Sequence, residues 1–244
     1  VGVLKGLRVA GLIVVGVLAL PSAASAAQTI GQVGDVSGKT CTDDEAYLQK
    51  SITAGASYSP STYGVITSWS AMSKDGAGQT VKLLVFRDDG SNQFSAVARD
   101  SVDRTLSSVD DTLNTFTGTR IPIEANQRIG IYQPAGSTEA CEFNGGNAGD
   151  QAGYSDPFDV GEPPLNVPFD YSGTDSPNRV NVLAVVEPDV DRDVFGDETQ
   201  DRCVGKPGPV DGCPVTPHKK KCKKKKHKRE ASASKKHCKK HKKR

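Results

Sequence analysis

The chain has 244 residues, with 31 Lys/Arg against 29 Asp/Glu and only 6% aromatic residues. That length suits one domain with a real core. All four histidines (His218, His227, His237, His241) lie in the last 27 residues. The apolar part of the chain therefore has none, which excludes Ser-His-Asp and Cys-His catalysis, His-ligated zinc and imidazole acid–base work there.

In chain order, residues 1–27 read as a secretory signal. Lys5 and Arg8 supply a positive start, residues 9–20 form an apolar run too short to span a bilayer, and Ala24-Ser25-Ala26 offers a small-x-small cleavage site. The mature chain is expected to be secreted, extracellular or cell-wall associated. Six cysteines, an even number, agree with an oxidising destination. Among the possible pairings, the preferred set keeps each cysteine within its own segment: Cys41 with Cys141, Cys203 with Cys213, Cys222 with Cys238.

Residues 28–187 read as one β domain. Apolar runs at residues 63–69, 80–87, 93–99, 113–116, 120–123, 128–132 and 179–186 are short and separated by turn residues. The turn at residues 88–92 makes a hairpin of the second and third runs. No segment sustains a helical apolar period. The expected fold is all-β, an antiparallel β-sandwich of jelly-roll type. Trp69 is assigned to the core, on a strand face with Val65 and Thr67. Residues 144–166 read as a polar, solvated loop containing Asp150, Asp156, Asp159 and Glu162. Tyr154, Phe158 and Tyr171 are the candidate contacts for a glycan or protein ligand on the sandwich. No phosphate-cradling or dinucleotide-binding glycine motif is present.

From Pro188 the composition changes. Asp189, Asp191, Asp193, Asp197 and Asp201 fall within 13 residues. Carboxylates this dense repel one another unless a cation sits among them. Asp-x-Asp-x-Asp followed by Gly and further Asp is how a loop wraps oxygen ligands around Ca²⁺. The run resembles a thrombospondin type 3 repeat, whose pattern is Asp-x-Asp-x-Asp-Gly-x-Gly-Asp followed by Asp-x-Cys-Pro. Asp189, Asp191, Asp193, Gly196, Asp197, Asp201 and Cys203 match it. The resemblance covers residues 188–215 only and is silent on the β domain. It implies Ca²⁺ ligation by the five aspartates and by the backbone carbonyl of Phe195. Val194 stands where the family has Gly, at a sharp turn that favours positive φ, and Val204 stands where it has Pro. A lone repeat of this kind is expected to act as a calcium-stiffened spacer between the sandwich and the tail.

Charge is segregated along the chain. Residues 28–216 carry 13 Lys/Arg against 28 Asp/Glu, whereas residues 217–244 carry 16 Lys/Arg against Glu230 alone. The tail, residues 216–244, has no apolar pattern and is expected to be disordered. Its partners are expected among the anionic polymers of the cell envelope or a membrane surface. It has no base-reading motif or interleaved aromatics, so specific nucleic-acid recognition is not expected. Its lysines also oppose a metal site built from its own His and Cys. The function read from the sequence is a secreted, non-enzymatic calcium-binding protein of the cell surface, with an adhesion or binding module and a polybasic tail. The alternatives are a carbohydrate-binding module with structural calcium and a secreted carboxylate-dependent hydrolase.

Overall fold

The computed structural model describes residues 26–36, 41–74, 78–138, 140–155, 161–175 and 177–215. The signal segment up to residue 25, the basic tail, Cys222, Cys238, Asp156, Phe158 and Asp159 lie outside the described residues. Regular structure among the described residues is entirely strand. The strands are β1 (Gln28–Gln32), β2 (Glu45–Ser51), β3 (Gly64–Met72), β4 (Thr80–Gly90), β5 (Gln93–Arg99), β6 (Arg104–Thr105), β7 (Leu113–Ile123), β8 (Arg128–Gln133), β9 (Glu142–Phe143), β10 (Gln151–Ser155), β11 (Pro168–Asp175), β12 (Arg179–Val180) and β13 (Val182–Pro188).

The all-β, antiparallel expectation holds, but an open jelly-roll sandwich does not form. The larger sheet runs β5-β11-β10-β2-β8-β4, and β4 then pairs with β5, so six strands close into a barrel. Strand β4 makes closure possible. Its start pairs with β6 and its end with β5, with register shifts at Val85/Phe86 and Asp88/Gly90. Such bulges bend a strand and increase its twist, which is what bringing two sheet edges together requires. The turn between β4 and β5 is Ser91-Asn92, both with positive φ (53° and 66°), the signs of a type I′ hairpin.

A separate four-stranded sheet runs β1-β13-β3-β7, and β9 pairs with β12. Two cores result, and β4 serves both. Leu84 and Phe86 join Ala46, Leu48, Phe94 and Tyr171 in one cluster. Val81, Leu83 and Val85 join Ile66, Trp69, Ala184 and Val186 of the four-stranded sheet in the other. Burial on both faces is why β4 reads as a near-continuous apolar run rather than an alternating one.

Several sequence expectations change. Runs 113–116 and 120–123 are one strand, β7, carried through Gly118 at φ 74°. Strand β10 forms inside the supposed solvated loop, and Asp150 just before it is fully buried. Glu162 is half-buried and ion-paired with Lys82 (2.6 Å) and Arg99 (2.5 Å). Tyr171 is not a surface contact residue: it is buried between Phe86 and Phe94, edge-on to both rings. Tyr154 is half-buried against Tyr47. Trp69 is core, 1% exposed, but it shares its cluster with Ile66 and Ala71 rather than with Val65 and Thr67. The reason is a bulge: Ser68 pairs with Val185 and Ile66 with Val186, leaving Thr67 extra and reversing the alternation.

Cys41–Cys141 and Cys203–Cys213 are disulfides, with Cα–Cα distances of 6.1 and 5.0 Å. They fit an oxidising environment.

Candidate metal centre

The bulge in β3 is matched by a larger one in β7, where residues 118–120 intervene between the partners of Ser68 and Ile66. This irregular corner is where the segment after β13 docks. Glu187, 2% exposed, is the anchor. Its carboxylate accepts from Thr67 Oγ1 (3.0 Å), Thr199 Oγ1 (2.7 Å) and the amides of Glu198 (3.1 Å) and Thr199 (2.9 Å). Gln200 Nε2 donates to Thr119 O (2.8 Å), and the Phe195 ring is buried under the Arg120 guanidinium, 4.6 Å from its centroid. Gly196 fits the motif for a local reason: a Cβ there would lie 2.7 Å from Thr67 Cγ2. These contacts dock the segment on the β domain. The segment lies on the sheet, because its amides and the Thr199 hydroxyl satisfy the Glu187 carboxylate and its Gln200 side chain satisfies Thr119 O.

Within the segment, Asp189 is 3% exposed and organises the turn. Its oxygens accept from the amides of Asp193 (3.2 Å) and Val194 (2.9 Å) and from Tyr63 Oη (3.1 Å). The turn puts Arg192 and Val194 at positive φ, 60° and 67°. Position 194 thus takes left-handed backbone, and a β-branched residue occupies it. Asp193 accepts from the amides of Phe195 (3.1 Å) and Gly208 (3.0 Å). Gly208 is brought back by the Cys203–Cys213 loop. Gly212, at φ 73°, leaves no room for a Cβ beside the Asp201 carboxylate.

The ligand oxygens of Asp189, Asp191 and Asp193 lie within 4.8 Å of one another. Asp191 Oδ1 and Oδ2, Asp197 Oδ1 and Asp201 Oδ2 are buried with no hydrogen-bond donor. The Lys206 amide faces Asp191 and eases its charge, but outside hydrogen-bonding geometry. Burial, then the neighbouring carboxylates of Asp193, Asp201 and Asp189, push Asp191 above the ordinary carboxylate range. Burial also raises Asp197, against the Val190 amide and together with Asp189, Asp201 and Asp191. The nearby guanidinium groups point elsewhere. Arg192 stacks on Tyr63 (4.4 Å) and pairs with Glu124 (3.3 Å), and Arg202 pairs with Asp211 (3.4 Å). Among the described residues, no Lys or Arg forms an ion pair with any of the five aspartates.

All five predicted carboxylates therefore belong to one small region and act on each other electrostatically. The sequence reading missed Tyr63, Glu187, Gly208 and Gly212. Tyr63 lies 126 positions from the aspartate it serves, and nothing local marks it. Comparison with protein-family models, with curated proteins and with solved structures finds no match.

Proposed function

We propose that the chain is an exported, non-enzymatic calcium-binding protein of the cell surface. Ca²⁺ is held by carboxylates of Asp189, Asp191, Asp193, Asp197 and Asp201 and by the Phe195 carbonyl. The observation that carries this reading is the set of four buried carboxylate oxygens with no donor. A buried anion without a partner is costly, and a cation is what relieves it. The donor set is all oxygen, which suits a hard cation, and its carboxylate richness favours Ca²⁺ over Mg²⁺, which keeps more of its water. With the loop on the bulged corner of the sheet, the cation fixes the surface that β3 and β7 present. The β domain supplies a binding face, and the polybasic tail holds the protein to anionic envelope polymers by contacts that salt screens.

A calorimetric Ca²⁺ titration of the full chain tests this, beside a variant carrying Asp191→Asn and Asp193→Asn. Saturable binding at about 10⁻⁴–10⁻³ M, the range of extracellular calcium modules, is expected and should vanish in the variant. Absence of binding at millimolar Ca²⁺ sinks the reading.

A further inference from the structure

Four of the eight arginines among the described residues gather at one place, on a domain that is otherwise strongly acidic. Arg99, Arg104 and Arg120 line a cleft of about 350 Å³, and Arg120 and Arg202 line a second of about 370 Å³. The clefts meet at Gly118 and Arg120, which the β7 bulge carries outward. Three of the arginines are engaged: Arg99 with Glu162 (2.5 Å), Arg104 with Asp100 (2.9 Å) and Arg202 with Asp211 (3.4 Å). Arg120 differs. It is exposed and has no carboxylate partner among the described residues, and its guanidinium is laid over the Phe195 ring. Stacking of this kind holds the planar fork in place and leaves its N–H edge free for an anion.

We propose that the joined clefts bind a carboxylate- or sulfate-bearing saccharide, with Arg120 as the anion-holding residue. The fork of an arginine matches a planar carboxylate or two sulfate oxygens bidentately. The cleft volumes are those of small-ligand sites, large enough for a short sugar segment. The rest of the lining is mixed: Ser101, Thr119, Thr199 and Gln200 suit sugar hydroxyls, Ile121 and Val194 are apolar, and the carboxylates of Asp100 and Asp211 are offset by Arg104 and Arg202. The one aromatic ring, Phe195, is already covered by Arg120, so no platform is left on which a nucleic-acid base could stack.

The site is tied to the aspartate loop. Val194 lines one cleft and Phe195 the other, so the loop forms part of the wall of each. Behind that wall stand the five carboxylates, whose field repels an incoming anion unless a cation offsets it. This coupling rests on the calcium reading, whereas the cleft itself does not. Where both hold, Ca²⁺ tightens saccharide binding and the saccharide tightens Ca²⁺ by the same factor.

A local reporter is built in. The single Trp, Trp69, donates through Nε1 to Asp100 Oδ2 (2.9 Å), the same oxygen that Arg104 Nε holds (2.9 Å). An anion competing with Asp100 for Arg104 changes the surroundings of Trp69, and a response that comes from the tail alone is unaffected by Arg120→Gln. The experiment is a Trp fluorescence titration of the full chain at fixed ionic strength, with a diuronate, a sulfated disaccharide and inorganic sulfate as probes. Each is run with Ca²⁺ and with chelator, and repeated on Arg120→Gln. A saturable change is expected with one or both saccharides, weakened about ten- to a hundredfold in Arg120→Gln, as loss of a charge-assisted hydrogen-bond pair implies. Equal affinity in Arg120→Gln, or no saturable response to any probe either in fluorescence or in a calorimetric titration of the same probes, overturns the site. Inorganic sulfate binding as tightly as the saccharides overturns the saccharide assignment. Calcium binding seen by calorimetry without a saccharide response refutes the cleft alone. A saccharide response indifferent to Ca²⁺, with calorimetry silent, refutes the calcium reading and leaves the cleft standing.

Discussion

Two clusters of buried carboxylate chemistry lie in this molecule and have been solved in opposite ways. Asp150, fully buried, accepts from Thr53 N (2.6 Å) and Oγ1 (2.8 Å), Asn147 N (2.8 Å) and Arg179 Nε (2.7 Å). Arg179 Nη2 lies 2.6 Å from the same carboxylate as a close ion-pair contact, without a hydrogen-bond angle. Asp191, a few residues past the last strand, has neither a donor nor a cationic side chain. The chain supplies everything the first carboxylate needs. Among the described residues, the second is given only a misaligned Lys206 amide and more carboxylates. A satisfied buried acid is a structural element, whereas a convergent, unsatisfied set is a request for something from outside.

The largest expected effect breaks the first cluster. Arg179→Met leaves the Asp150 charge buried without its partner and should cost about 3–5 kcal/mol of unfolding free energy, as removal of one member of a buried pair does. Urea denaturation measures it, and a loss under 1 kcal/mol would show that water reaches Asp150. The pH dependence follows the same logic. Burial alone would raise Asp150, but the donors from Asn147, Thr53 and Arg179 outweigh it and hold the carboxyl well below the usual range. A folded pKa below the unfolded one means that the folded state binds fewer protons. The stability from this group is therefore complete above the ordinary Asp range, about pH 4, and lost as the pH falls towards the lower folded value. Arg179→Met should flatten the acid limb of the stability curve.

The second cluster should respond with the opposite signature. Asp191→Asn removes a repelled charge, so without divalent cation it should leave stability unchanged or raise it. With Ca²⁺ at ten to a hundred times Kd, the wild-type chain should gain about 1.4–2.7 kcal/mol by mass action, and the variant should gain none of it. Thermal unfolding with and without Ca²⁺ separates the two. A calcium-dependent gain retained by Asp191→Asn would remove this residue from the ligand set.

The same contrast explains what the sequence made visible. The aspartate loop was legible because its carboxylates are local: five acids within 13 residues, with Gly196 where close approach to Glu187 and Thr67 requires it. Asp150 was misread because its donors Thr53 and Arg179 come from 97 and 29 positions away, and an acid near a glycine-rich stretch looks solvated. Most strands were legible from apolar runs. Strand β2, Glu-Ala-Tyr-Leu-Gln-Lys-Ser, was not, because it is buried on both faces while its residues carry little strand propensity. Strand β11 was hidden because Pro168, Asp170, Gly173 and Asp175 are poor strand formers. Barrel closure depends on the register of β4 against β5 and β6, which no local pattern encodes. The arginine cleft was equally silent, since Arg99, Arg104, Arg120 and Arg202 become neighbours only through the β7 bulge and the docked loop.

The smallest predicted effect sharpens the comparison. The loop's turn puts Val194 at φ 67°, where Cβ crowds the carbonyl. A left-handed L-residue costs about 1–2 kcal/mol, and a β-branched one is the worse case. Val194→Gly removes that cost but gives the unfolded chain more freedom, returning about 0.5–1 kcal/mol. The backbone amide that Val194 donates to Asp189 Oδ2 (2.9 Å) is kept. The net gain is therefore about 0–1.5 kcal/mol, or a tightening of Ca²⁺ binding of up to about tenfold where the turn orders on binding, read by the same calorimetric titration. Val194→Ala provides the control. It keeps a Cβ and most of the left-handed penalty, so it should bind Ca²⁺ like wild type. If the glycine variant binds more weakly than both, the side chain matters more for the cleft wall it lines than for the turn it strains. Valine at position 194 would then serve the arginine cleft at the expense of the aspartate turn.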